Sequence, residues 1–120
     1  MINTALALQT FYNGFGLPAY GENNVPMDAV LPYITYDIVE TEPLEPATHH
    51  AKVWERTTDY NNILTVVDQI KAAIGEAAVL DCDGGYVVIR PSSPYVQLLT
   101  DEDTAIKYAY ISLQINCYHM

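Results

Sequence analysis

Positive charge is scarce in this chain. Five lysine and arginine residues stand against fifteen carboxylates, for a net charge of -10. A nucleic-acid binder needs a basic footprint to neutralise phosphates, so that class is excluded. Such acidity keeps a protein soluble, and it also suits a surface past which DNA slides without sticking. Cysteine is rarer still. Cys82 and Cys117 stand far apart, in no metal or redox spacing. They read as small buried thiols rather than a disulfide, since nothing points to an oxidising compartment. No apolar run approaches the ~20 residues that cross a bilayer. The N-terminus also lacks the basic region and apolar stretch of a signal peptide. The expectation is a soluble protein folded inside the cell, with no membrane partner.

Catalytic signatures are equally scarce. There is no Gly-rich phosphate loop, no nucleophile elbow and no Ser/His/Asp or Cys/His arrangement of catalytic spacing. Cys117 and His119 share one face of an extended segment, which alone is weak ground for chemistry. The expectation is no enzyme and no cofactor.

What the chain does have is length enough for one domain and a hydrophobic content of 50% across 120 residues. A domain of this size buries roughly two-thirds of its unfolded surface. Its clearest local pattern closes the sequence. From Ile106 to Met120, Ala109, Ile111, Leu113, Ile115 and Cys117 alternate with Tyr108, Tyr110, Ser112, Gln114 and Asn116. Strand side chains point to opposite faces in turn, so this is one long strand with an apolar face and a tyrosine/amide face. Tyr95–Leu99 and the acidic stretch Thr100–Thr104 precede it, which predicts a long hairpin with an acidic tip.

Upstream, Thr4–Asn13 carries good helix formers and runs into Gly14 and Gly16, a short helix with a glycine cap. Leu17–Met27 holds two prolines and Gly21 and is expected to be irregular. Tyr33–Val39 is β-branched and aromatic, a strand opened by Pro32. Glu40–His50, with Glu40, Glu42, Glu45, Pro43 and Pro46, is expected to be a long loop, functional or mobile. A strand around Val53 and Trp54 follows, over Ala51–Thr57. Ile63, Val66, Val67, Ile70 and Ile74 then fall at helical spacing, with Thr58 or Asp59 to cap the start and Gly75 to close. Val79–Arg90 makes two short strands around Asp83-Gly84-Gly85. Pro91 and Pro94 are expected to break the chain before the closing hairpin. The fold class is α+β: a mostly antiparallel β-sheet with two α-helices packed on one face, plus β-hairpins.

Few residues suggest a site. His49 and His50 are adjacent, but neighbours on an extended chain point apart and no third ligand is evident, which favours an exposed loop pair over a metal site. Asp81-Cys82-Asp83-Gly84 faintly resembles a calcium loop yet lacks its later oxygen ligands, so a hairpin turn is expected. Asp101, Glu102 and Asp103 could hold a cation or raise one another's pKa; at a hairpin tip they are expected to be solvated, or to dock a partner. Tyr108, Tyr110 and Tyr118 lie on the outer side of the last strand, where they either pack a second layer or form a protein interface.

The whole layout resembles the tail-terminator (tail-completion, head-to-tail joining) proteins of long-tailed bacteriophages. The matching pieces are the N-terminal helix and Leu31-Pro32-Tyr33-Ile34-Thr35-Tyr36 after a proline-containing connection. Val53-Trp54-Glu55 leading into the Tyr60–Ile74 helix, and Asp103 before a long final strand, complete the match. The resemblance implies a virion protein, assembled in the host cytoplasm. It would form a ring, typically a hexamer, that caps the head-proximal end of the tail tube. Its implied partners are copies of itself, the tail-tube protein and the head-to-tail connector, with DNA passing through unbound. Contact regions on this reading are the Glu40–His50 loop, the Thr100–Thr104 tip and the tyrosine side of the last strand. A tail-tube or neck protein is the related alternative. A small ligand-binding domain is a third, and it would need a concave apolar pocket.

Overall fold

The terminal alternation becomes β6 (Ile106–His119), the most deeply set strand of the fold. The computed structural model describes residues 1–119, so Met120, the last residue of the expected strand, lies outside the described residues. Ala109, Ile111, Leu113, Ile115 and Cys117 are all 0% exposed. At roughly 1.5–3 kcal/mol for each fully buried large aliphatic side chain, this one face is a major source of stability.

Around β6 a six-stranded sheet assembles in the order β1-β2-β3-β6-β5-β4. Its other strands are β1 (Ala19–Gly21), β2 (Tyr33–Tyr36), β3 (Ala47–Arg56), β4 (Ala78–Cys82) and β5 (Gly85–Thr100). Neighbours are antiparallel except β1 and β2, which run parallel, so the sheet is mixed. Two helices, α1 (Ile2–Tyr12) and α2 (Asn61–Ile74), contribute to the same hydrophobic core as the inward face of the sheet. That is the α+β arrangement the sequence predicts: helices on one side, the other side without them.

The caps follow the expected chemistry with small shifts. Of the two candidates at the start of α2, Asp59 is the one that serves, its Oδ1 accepting the Asn61 amide at 2.9 Å. Ile63, Val67, Ile70 and Ile74 form the buried stripe, while Val66 is only partly covered. Gly75, at φ 58°, returns its N–H to the Lys71 carbonyl and ends the helix. After α1 a 3-10 turn (Asn13–Phe15) intervenes, so Gly16, at φ 82°, is the glycine that turns the chain.

Six expectations need correction. The Leu17–Met27 connection contains β1, three residues whose strand character comes from pairing with β2 rather than from local propensity. The strand opened by Pro32 stops at Tyr36 instead of Val39. The Glu40–His50 loop ends early, because β3 begins at Ala47 and takes in both histidines. His49 is 0% exposed and His50 half-buried, so they are not an exposed loop pair. Pro91 and Pro94 do not break the chain: β5 runs through them with a register shift between Pro91 and Val96. Bulges and edges are where a strand tolerates proline, and this stretch is both. Finally, both cysteines are free thiols, but only Cys117 is buried and Cys82 is half-exposed.

Asp83-Gly84 forms the β4–β5 turn, with Gly84 at φ 78°, as expected for a hairpin and not for a calcium loop. The adjacent Gly85 meets β6 so closely that an added Cβ would overlap the Tyr118 backbone carbonyl. A backbone atom cannot swing aside as a side chain can. Gly85→Ala is therefore expected to cost about 1–3 kcal/mol, read as a lower urea midpoint. A midpoint equal to that of the parent chain would show that the β5–β6 spacing there is looser than described.

Candidate functional site

The outer face of the sheet carries an aromatic ladder. Inward positions of β3 are odd-numbered, so His50, Lys52 and Trp54 project outward beside the even-numbered residues of β6. Trp54 stacks on Tyr108 with ring centroids 4.4 Å apart, and His50 lies over Tyr110 at 4.8 Å. Lys52 sits among them, its Nζ 5.6 Å from the Trp54 ring, 5.9 Å from Tyr108 and 5.7 Å from Tyr110. Trp54 Nε1 donates to Thr35 Oγ1 at 2.9 Å, which fixes the indole. Cross-strand pairs of this kind stabilise a sheet, and a cation over rings adds to them. Burial pushes the Tyr110 hydroxyl pKa up, helped by the negative charges of Asp37 and Glu22. Tyr118 belongs to a separate pair with Tyr86, stacked at 4.9 Å near the far end of the sheet. Tyr108, Tyr110 and Tyr118 thus share a face but form two clusters.

The sheet also has an open edge. β4 pairs with β5 only from Gly85 to Ile89, and among the described residues no strand pairs with the outer side of residues 90–100. Leu98 and Leu99 on this stretch are 41% and 37% exposed. An unpaired edge offers backbone donors and acceptors to another chain, although the Leu99 carbonyl already accepts the Tyr60 hydroxyl at 3.0 Å. Sequence reasoning missed this feature, because which half of a strand is covered depends on its neighbour's length.

The acidic tip lies where expected. Glu102 and Asp103 are exposed and Asp101 is half-buried. Asp103 is partly used locally: Oδ1 accepts the Ala105 amide at 3.1 Å, and Oδ2 lies 3.3 Å from Arg56 Nη2. Both members of that ion pair are well exposed, so it contributes little to stability.

The segment from Glu40 to Pro46 behaves differently from a free loop. The Thr41 hydroxyl accepts the Cys117 amide at 2.8 Å, and the Pro43 carbonyl accepts Asn116 Nδ2 at 3.1 Å. The segment is thereby laid along the end of β6, which accounts for the burial of Asn116 on the outer face. Glu42, Leu44 and Glu45 remain exposed. Glu40 turns inward to a small polar cluster. Its Oε1 is 2.5 Å from His119 Nε2, its Oε2 is 2.9 Å from the terminal amine, and both oxygens lie 3.2 Å from the Thr4 hydroxyl. Burial works to raise the Glu40 pKa, but the terminal amine, His119 and Thr4 outweigh it and hold the carboxyl below its usual value.

His49 is part of an interior polar network. Its Nε2 lies 2.8 Å from the Tyr12 hydroxyl and its Nδ1 2.5 Å from Asp37 Oδ1. Nδ1 has no properly aligned acceptor, so the Asp37 contact is an electrostatic one. Burial pushes Asp37 up, yet His49 and the His50 amide and ring bring it below the ordinary carboxylate value. Tyr12 in turn is fully buried and its pKa raised by that burial. The residues resemble a catalytic constellation in type only, since Tyr12 and His49 are both 0% exposed and no substrate could reach them.

Two shallow grooves flank α1. One, of about 380 Å³, runs between α1 and β4 past Leu6, Phe11 and Val79. The other, of about 430 Å³, borders Gln9, Tyr20 and Ile38. Among the described residues no helix is long and apolar enough to cross a membrane. Compared with protein-family models and with curated proteins, the chain matches none.

Proposed function

We propose that this chain is a structural virion protein of the tail-terminator type. It closes into a ring, a hexamer in the family it resembles, at the head-proximal end of a phage tail tube. There it ends tube polymerisation and joins tail to head connector. The observation that carries this reading is the sheet itself: helices cover one face, and the rest is left with an aromatic outer ladder and an open edge at residues 90–100. Closing a ring requires each subunit to present two different surfaces to its neighbours. Here the open edge at residues 90–100 is one, and the Trp54–Tyr108–Tyr110 ladder, which Leu99 borders through its pairing with Tyr108, is the other, together with the exposed Glu42–Glu45 stretch.

The charge supports the same reading. With a net charge of -10, the inner wall of such a ring would repel phosphates and let DNA pass without binding. Replacing Asp101, Glu102 and Asp103 together with lysine is expected to leave the melting temperature nearly unchanged, because the Arg56 pair is a surface one. Joining of heads to tails, counted by electron microscopy, is expected to fall. Unimpaired joining would remove the tip from the mechanism. A tail-tube protein of related fold would instead polymerise into extended filaments on the same grids.

A further inference from the structure

Three donors of different chemistry meet where the chain's ends converge. Glu40 comes from the segment after β2, Cys117 and His119 from the end of β6, and their ligating atoms all lie within 4.8 Å of one another. Cys117 and His119 are two residues apart on one strand and so share its inner side. We infer that Glu40, Cys117 and His119 form a site for a borderline-soft divalent transition ion, Zn²⁺ in the first instance.

The donor set selects the ion. Thiolate and imidazole together favour Zn²⁺ over Mg²⁺ or Ca²⁺, which take oxygen ligands. Three protein ligands with a fourth position facing solvent is a common tetrahedral arrangement, and Glu40 and His119 are on the exposed side here. The supporting contacts are already in place. Buried Thr4 reaches the Glu40 carboxylate, while its 3.2 Å contact with His119 Nε2 would give way as that nitrogen takes up the ion. Thr41 accepts the Cys117 amide and so holds the backbone that carries the thiol. Such outer contacts orient ligands and sharpen affinity.

The metal-free spacing needs only a small adjustment. Ligands of a tetrahedral zinc ion sit about 3.3–3.5 Å apart, given bonds of 2.0–2.3 Å. His119 Nε2 and Glu40 Oε1, at 2.5 Å, would open by about 1 Å, and the Cys117 sulfur, within 4.8 Å of both, would close by up to about 1.3 Å. These movements fall at the end of a strand, where the Glu40 and His119 side chains are exposed and Cys117 itself is buried. On binding, the Cys117 thiol gives up its proton to solvent and the sulfur becomes the third ligand. The ion would then tie α1, through Thr4, and the Glu40 segment to the last strand.

Cobalt(II) titration of the whole chain, followed by absorption, tests this. The expected result is one Co²⁺ per chain with a thiolate-to-cobalt charge-transfer band. Zn²⁺ should displace it and excess Mg²⁺ should not. Cys117→Ser should abolish the band, Glu40→Gln and His119→Ala should each weaken binding at least tenfold, and His50→Ala should change nothing. Absence of the band, or unaltered affinity in both Glu40→Gln and His119→Ala, would overturn the assignment. Those two changes lie at exposed positions, so they decide the matter even if Cys117→Ser does not fold.

Discussion

His49→Ala is expected to destabilise the protein by about 3–5 kcal/mol at neutral pH, the largest effect of any single polar substitution in the fold. The ring is 0% exposed, so its removal leaves a cavity inside the core. It also strips the Tyr12 hydroxyl of its 2.8 Å partner and Asp37 of the imidazole beside it. Orphaned buried groups keep their full desolvation cost, which is why breaking such a network costs more than replacing it. Removing both partners together should therefore be milder. The Tyr12→Phe/His49→Leu double variant is expected to recover a substantial part of the loss, measured as coupling in urea unfolding. Strict additivity would show that the two side chains do not act as a unit.

The same network sets an acid limit. The folded-state pKa of Asp37 lies below its ordinary value, so its ionised form is the one the fold favours. Its contribution is fully present above the unfolded pKa, near about 4, and is lost as pH falls through the lower folded value. Glu40 carries the same sign. Stability should thus fall on acidification below about pH 4, and the slope should be shallower in Asp37→Asn. An unchanged slope in that variant would assign the acid sensitivity elsewhere.

Leu98→Ser combined with Leu99→Ser is expected to weaken self-association about 100-fold while leaving the monomer folded. Both side chains are over a third exposed, on the edge that no strand covers. Truncating an apolar contact at the centre of an interface costs more than about 1 kcal/mol, and each 1.4 kcal/mol is tenfold in affinity. Two adjacent losses give the expected factor. Wild-type association by sedimentation would place the interface on another surface, with the Trp54 ladder the next to be altered.

How much of this was legible in the sequence depended on whether the governing contacts were local. The alternation of Ala109 to Cys117 and the helical spacing of Ile63 to Ile74 are properties of short windows, and both elements appear with their expected faces buried. β1 was invisible because three residues between Pro18 and Glu22 become a strand only by pairing with β2. The prolines of β5 misled because a break and a bulge have the same composition, and the difference is whether a neighbour holds the chain straight. His49 is instructive in another way. Ala47, His49, Ala51 and Val53 continue one inward alternation, but a histidine reads as polar until Tyr12 and Asp37 are seen around it. The Glu40, Cys117 and His119 cluster left only a partial trace, the shared strand face of its last two members. Its third ligand arrives from 77 residues before Cys117, through the fold alone.

Native mass measurement of the purified chain at high concentration, with electron microscopy of the same sample, decides whether the open sheet edge closes a ring. The expected species is a closed ring, at six times the 13.4 kDa chain mass if it follows the family it resembles. A strict 13.4 kDa monomer that also fails to associate with tail tubes would contradict it.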